Sequence, residues 1–110
     1  MAVYAYLRVS TDRQDVDNQR HGLLEYANQQ GLGQLHFIED ATSGRLAWRD
    51  RAVGQLLTET AQADDVVLFA EISRMARSTL QVLEMLEDAM TRGVTVHIAK
   101  QQMVLDGSKA

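Results

Sequence analysis

Residues 65–72 read Asp-Val-Val-Leu-Phe-Ala-Glu-Ile, and every position from Val66 to Ala70 is apolar. A strand that is apolar on both faces is typical of the centre of a parallel sheet that has helices on both sides. Working outward, residues 3–10 and 94–99 are strand-like as well. We therefore predict an α/β domain built around a mostly parallel sheet.

The rest of the chain alternates between helix and strand patterns. Apolar residues at helical spacing predict helices over residues 15–30, 50–63 and 79–92, and glycines at 31 and 93 end the first and the third. Strands are predicted over residues 3–10, 35–40, 65–72 and 94–99, with a short edge strand at 102–105. Residues 41–49 are predicted to form a polar loop. This alternation predicts a single domain of three layers.

The third predicted helix carries two apolar stripes. We assign the first stripe to the core: Leu80, Leu83, Leu86 and Met90. The second stripe is either further buried surface or a subunit contact: Val82, Met85 and Ala89. Trp48, in the polar loop, either covers that loop or contacts a partner, and the pattern does not choose between these.

Composition narrows the possible functions. The chain has 110 residues, a formal net charge of −4 and no cysteine. Disulfides, thiolate nucleophiles and cysteine-ligated metals are thereby excluded. The acidic balance offers no general attraction to nucleic acid, so any contact with DNA must come from a local arginine cluster. No run approaches the roughly 18 to 20 apolar residues of a membrane span, and we expect a cytoplasmic domain without a membrane partner.

Polar residues collect where the predicted strands end, which is where open α/β sheets bind ligands. Arg8 and Ser10 end the first strand and point to the same face because side chains alternate along a strand. Asp40 ends the second strand. Arg74 and Arg77 follow the third at i and i+3 and share a face if a helical turn begins there. One hydroxyl, three guanidiniums and one carboxylate thus meet at one rim.

This set suits attack on a phosphodiester. A serine hydroxyl needs activation before it is nucleophilic, and guanidiniums grip phosphate oxygens while keeping their charge. Several guanidiniums around one phosphate would stabilise the negative charge of the transition state. The chain lacks the glycine-rich loops of nucleotide-binding proteins, and His21, His36 and His97 have no metal-ligand spacing. We expect no nucleotide, metal or other cofactor.

Two stretches carry a family resemblance. Residues 6–14, Tyr-Leu-Arg-Val-Ser-Thr-Asp-Arg-Gln, followed by Gln19, resemble the opening signature of the serine recombinases of the resolvase/invertase family. Residues 72–78, Ile-Ser-Arg-Met-Ala-Arg-Ser, resemble that family's second signature. Asp40, residues 43–44 and an arginine before the second helix follow in the order typical of the family. The similarity covers nearly all of the chain.

The resemblance implies a resolvase-like sheet of four or five strands in the order 2-1-3-4, with the short edge strand last. It implies that Ser10 attacks a DNA phosphodiester to form a 5′-phosphoserine intermediate, followed by strand exchange and religation. Arg8, Arg74 and Arg77 would surround the phosphate. Supporting roles fall to a further set: Gln14, Gln19, Asp40 and Arg51, with Arg49 as the alternative to Arg51.

The chain departs from the family in two respects. Many relatives carry aspartate where this chain has Ser73, which leaves open whether Glu71 takes over an acidic role. Complete relatives continue into a long oligomerisation helix and a helix-turn-helix domain. We therefore expect residues 1–110 to be a catalytic domain that is inactive and binds DNA weakly on its own, and that works as a homodimer or homotetramer in the full-length protein.

Two other functions stay open. A degenerate relative could serve as a non-catalytic protein-interaction module, and a small phosphotransferase could use the same fold. The roles of a resolvase, an invertase and a transposase, and the target DNA site, are not distinguished by these residues.

Overall fold

The computed structural model describes residues 2–9, 12–41, 48, 51–72 and 78–105. Its elements, in chain order, are β1 (Val3–Arg8), α1 (Arg13–Gln30), β2 (His36–Asp40), α2 (Ala52–Gln55) with a following π-helical turn (Leu56–Thr60), β3 (Val66–Phe69), α3 (Thr79–Thr91), β4 (Thr95–Ile98) and β5 (Met103–Leu105). The sheet order is β2-β1-β3-β4-β5. The first four strands are parallel and β5 runs antiparallel to β4. The predicted fold class and strand order are confirmed.

The core has two halves because the sheet is covered on both faces. One cluster of buried apolar residues, which includes Tyr6, Leu57 and Met85, packs between the sheet and the α2–α3 side. The other, which includes Leu7 and Leu23, packs between the sheet and α1. Strands β1 and β3 contribute alternate residues to the two clusters. This is the three-layer arrangement that the strand pattern predicted.

Helix α1 begins two residues earlier than the apolar spacing predicted. The Asp12 side chain accepts hydrogen bonds from the backbone N–H groups of Gln14 and Asp15, at 3.0 and 3.2 Å. Aspartate is a strong N-cap residue because it satisfies N–H groups that the first turn leaves without helical partners. The helix ends, as predicted, at Gly31, whose φ of 65° lies in the left-handed region.

The structure contradicts part of our expectation for the faces of α3. Leu80 and Leu83, assigned to the core, are 65% and 58% exposed. Val82, Met85 and Ala89 are buried against the sheet instead. Apolar residues occupy more than one side of this helix, so periodicity alone does not determine which side turns inward. The core assignment of Leu80 and Leu83 is therefore wrong.

Trp48 is a core residue, which settles the question that its polar surroundings left open. It is 1% exposed and belongs to the cluster on the α2–α3 side. Its indole N–H donates a hydrogen bond of 3.2 Å to Glu84 Oε2 on α3. A buried tryptophan usually finds such a partner for its one polar group. Trp48 thus fixes the chain ahead of α2 against α3.

Candidate active site

The structure places four of the predicted site residues near the carboxyl ends of β1 and β2: Arg8, Gln19, Asp40 and Arg51. Gln14 is described as well. Ser10, Arg74 and Arg77 lie outside the described residues, as do Arg49 and Ser73. The described residues therefore define the surroundings of the predicted nucleophile.

Arg8 and Asp40 end adjacent parallel strands and are register partners. The backbone N–H of Val9 extends this ladder by donating to the Asp40 carbonyl at 2.9 Å. Tyr6 packs on the α2–α3 side of the sheet, and strand alternation places Arg8 on that side too. Arg8 is partly exposed and forms no ion pair with the residues that the structure describes.

Beneath this edge lies a buried network of Tyr6, Asp40 and Arg51. The Tyr6 hydroxyl donates to Asp40 Oδ2 at 2.6 Å and accepts from Arg51 Nη2 at 2.9 Å. Arg51 Nε lies 3.6 Å from Asp40 Oδ2, and the two side chains are 0% and 1% exposed. Two opposite charges can be buried together here because the phenol hydrogen-bonds to both of them.

The network changes the acidity of Tyr6. Burial and the hydrogen bond to Asp40 raise the pKa of Tyr6 to about 12, because both disfavour a phenolate at this position. Arg51 lowers the pKa of Tyr6, but by less than burial and Asp40 raise it. Tyr6 therefore remains a hydrogen-bond donor at neutral pH, and it keeps Asp40 oriented toward Arg51.

Arg51 lies at the N-terminus of α2, where its own backbone N–H donates to the Trp48 carbonyl at 3.2 Å. Its side chain then reaches the end of β2 rather than solvent. Of the two arginines considered for the loop position, Arg51 is the one that the structure places beside Asp40, and Arg49 lies outside the described residues.

Gln19 approaches the end of β1 from the opposite face of the sheet. It is buried, and its Nε2 donates to the Arg8 carbonyl at 3.1 Å and to Asp15 Oδ2 at 3.0 Å. Arg8 is thus held through its backbone from the α1 side, while its strand neighbour Asp40 is held from the α2 side. Val9 alone separates Arg8 from Ser10 in the sequence.

Gln14 is not brought into this arrangement by the described residues. Its side chain is exposed, and the contact that the structure shows for it is made by its backbone N–H, which donates to Asp12. Glu71, considered for an acidic role, places Oε2 3.0 Å from Lys100 Nζ at the end of β4. Whether it replaces the family's aspartate stays a prediction.

Tyr6 is the residue that sequence reasoning missed. It was given no site role, because its partners lie 34 and 45 positions away along the chain. One signal was present, since a tyrosine two residues before Arg8 on a buried face must find a partner for its hydroxyl.

Two classes of site find no support in the described parts of the chain. No group of three or more His, Asp or Glu side chains there is placed to hold a metal ion. No helix within those ranges is long and apolar enough to cross a membrane.

Comparison with known proteins defines the class to which this fold and site belong. The family model described as the resolvase N-terminal domain matches residues 3–110. This chain belongs to that family. Its sequence is 29% identical over 107 residues to the R46 site-specific recombinase of Escherichia coli, covering 97% of this chain and 53% of the relative.

Two further similarities agree with this assignment. The Tn3 transposon resolvase of Escherichia coli is 27% identical over 97% of this chain and 55% of its own length. The N-terminal catalytic domain of TP901-1 integrase has a similar structure, with a TM-score of 0.75 and 25% sequence identity over 94% of this chain and 81% of that one. The chain spans about half the length of the two recombinases that it matches in sequence.

Proposed function

We propose that this chain is the catalytic domain of a site-specific DNA recombinase and that Ser10 is its nucleophile. The Ser10 oxygen forms a bond to the scissile phosphorus, the bond from phosphorus to the 3′ oxygen breaks, and that oxygen leaves as a 3′-hydroxyl. The 5′-phosphate stays on the serine. Attack by a 3′-hydroxyl of another strand then reverses the step and releases Ser10.

The observation that carries this proposal is the position of Arg8. It ends β1 in register with Asp40, and it is partly exposed above the buried Tyr6–Asp40–Arg51 network. A cation held at a strand end two residues before a serine suits a phosphate that the serine attacks. Arg74 and Arg77 would complete the set of guanidiniums, and their contribution stays a proposal from the sequence.

Preorganisation explains why the supporting residues are buried. Transition-state charge is stabilised best by groups that need not move during the reaction. Gln19 fixes the carbonyl of Arg8, and Arg51 with Tyr6 fixes Asp40 beside it. Gln14, which is exposed, would act through contact with DNA rather than through this network.

The partners follow from the same chemistry. The substrate is DNA, neither a nucleotide nor a metal is required, and strand exchange needs at least two copies because two duplexes are cut. We propose that the full-length protein works as a homodimer or homotetramer in the cytoplasm. Residues 1–110 carry a net charge of −4, so we expect weak, non-selective binding to DNA by this chain alone. A gel-shift assay at physiological salt that gave tight, site-selective binding would contradict this.

Trapping the covalent intermediate tests the proposal. The full-length protein would be incubated with supercoiled DNA from around its own gene, stopped with detergent, and resolved on a denaturing gel. We expect a protein–DNA adduct that nuclease digestion reduces to a nucleotide on the peptide containing Ser10, as identified by mass spectrometry. Ser10→Ala should abolish it and Ser108→Ala should not. An adduct that persists in Ser10→Ala, or that maps to another residue, would refute the assignment.

A further inference from the structure

Trp48 connects the chain ahead of α2 to helix α3 through a hydrogen bond. The ring of Trp48 is 1% exposed, and its indole N–H donates to Glu84 Oε2 at 3.2 Å. Glu84 lies on α3 and is exposed as a whole residue. A hydrogen bond to a carboxylate is both directional and strong. The carboxylate of Glu84 therefore fixes the orientation of Trp48 relative to α3.

The backbone of Trp48 in turn holds Arg51. The Trp48 carbonyl accepts a hydrogen bond of 3.2 Å from the Arg51 N–H, three residues further on, so both residues belong to one turn. The Arg51 side chain then lies beside Asp40, with Nε 3.6 Å from Oδ2. Asp40 is the register partner of Arg8. A continuous series of contacts thus runs from α3, through Trp48 and Arg51, to the strand end that carries Arg8.

The start of α2 gives this connection its importance. Arg51 occupies the N-cap position, where a short side chain such as serine or aspartate usually accepts hydrogen bonds from the first turn. A guanidinium has no acceptor atom, and the Arg51 side chain makes no capping hydrogen bond. The α-helical part of α2 has four residues, so it contributes little stability of its own. The turn ahead of the helix must therefore fix its start, and Trp48 anchors that turn to α3.

Helix α3 is a suitable anchor for a second reason, which is its place in the sequence. It begins at Thr79, two residues after Arg77, and it packs on the sheet through its buried face. Arg77 is one of the guanidiniums that we assign to the phosphate. The Trp48–Glu84 pair thus connects the segment that carries Arg51 with the helix that follows the second sequence motif.

We propose that Trp48 and Glu84 are positioning residues for the recombination chemistry. Their hydrogen bond holds the turn that carries Arg51 at a fixed distance from α3, and through Arg51 it sets Asp40 and Arg8 for the phosphate. This inference rests on the proposed function. Neither residue touches the DNA, so losing the hydrogen bond slows the chemical step and leaves the affinity for DNA unchanged. A tryptophan that only filled the core would need its ring and not the acceptor on α3.

The test is the rate of covalent adduct formation by the full-length protein, measured over a range of DNA concentrations. Glu84→Met removes the acceptor, whereas Glu84→Gln keeps an acceptor oxygen at the same reach. We expect the rate at saturating DNA to fall about tenfold in Glu84→Met and less than about twofold in Glu84→Gln. A misplacement of about 1 Å can cost about 10²-fold, and a turn that keeps its other contacts shifts by less. The half-saturating DNA concentration should not change.

Glu87→Met is the matched control, because it removes the same charge from an exposed position one turn further along α3, and it should react at the wild-type rate. Trp48→Phe should slow the reaction as Glu84→Met does, and the double variant should be no slower than the slower single one, since both remove the same hydrogen bond.

Four results would overturn the inference. Equal losses in Glu84→Gln and Glu84→Met, or in Glu87→Met, would show that charge and not the hydrogen bond matters. A change in the half-saturating DNA concentration at an unchanged saturating rate would assign the pair to DNA binding. A wild-type rate in Glu84→Met would overturn this inference alone, whereas the absence of an adduct from the wild type would overturn the proposed function with it.

Discussion

The Tyr6 hydroxyl is the group on which the buried network depends, and Tyr6→Phe removes it without changing the shape of the ring. The substitution deletes a donor to Asp40 Oδ2 and an acceptor for Arg51 Nη2, both at sites hidden from solvent. Hydrogen bonds to charged groups contribute about 1.5–3 kcal/mol each, and partial rearrangement offsets some of this. We expect the free energy of unfolding to fall by about 2–3 kcal/mol at pH 8. Tyr4→Phe, two residues earlier on the same face, should cost less than about 0.5 kcal/mol.

The pH dependence of this difference is the sharper measurement. Since the pKa of Tyr6 is raised to about 12 in the folded protein, the unfolded chain loses the phenol proton near pH 10 while the folded protein retains it. Above pH 10 the folded state binds more protons, so stability decreases as pH rises. The rise in the pKa of Tyr6 from 10.0 to about 12 corresponds to about 3 kcal/mol in the free energy of unfolding. About 1 kcal/mol of this is lost between pH 10 and pH 11.

The assay is urea unfolding followed by fluorescence of Trp48, the only tryptophan in the chain. Stabilities of the wild type, Tyr6→Phe and Tyr4→Phe would be compared at several values between pH 8 and pH 11. All other ionisable groups are shared by the wild type and Tyr6→Phe, so their contributions cancel in that difference. The advantage of the wild type over Tyr6→Phe should shrink as pH rises above 10. An advantage that is independent of pH, or one that Tyr4→Phe reproduces, would show that burial and Asp40 do not hold the phenol in its neutral form.

Three further outcomes are expected. Gln19→Met should lower the free energy of unfolding by about 1–2 kcal/mol, since it removes a buried donor to the β1 backbone. Gln14→Met, at an exposed position, should not lower it, and equal losses in urea unfolding would contradict this prediction. Burial lowers the pKa of His97, so the unfolded chain takes up a proton first as pH falls below about 6.5, and stability should decrease toward pH 5. His97→Gln should flatten this pH dependence, and an unchanged slope would contradict the role of His97. Met85→Ala should cost about 2–5 kcal/mol and Leu80→Ala less than about 1 kcal/mol; comparable losses would restore the core assignment that the structure reverses.

The three layers could be anticipated because they depend on strong local patterns, whereas the strand order was implied by the family resemblance. Residues 66–69 form a strand buried at every position, which is what an uninterrupted apolar run at the centre of a sheet indicates. Element ends were less predictable. The start of α1 depends on the Asp12 cap, and the turn over residues 56–60 is π-helical, with Thr58 Oγ1 donating to the Gly54 carbonyl at 2.7 Å. Neither feature changes the hydrophobic periodicity, so the pattern contains no sign of it.

The candidate site was also predictable only in part. Positions at strand ends could be inferred, since topology alone brings the ends of parallel strands to one edge. Contacts between side chains could not, because they join segments far apart in the chain. Arg51 shows this, since only the folded structure shows that its side chain is buried against Asp40 at the end of β2.

The end of β1 is held from both faces of the sheet, and this is the strongest structural argument for a catalytic role. A strand end that leads into a loop usually moves more than the strand itself. Here Gln19 fixes the Arg8 carbonyl from the α1 side, and the partner strand is fixed at Asp40 by Arg51 from the other. Burying an ion pair and an amide beside a strand end costs desolvation energy that apolar residues would not. Rigidity at Arg8, two residues before the proposed nucleophile Ser10, is a benefit that explains this cost, because a reacting group misplaced by about 1 Å can lose about 10²-fold in rate.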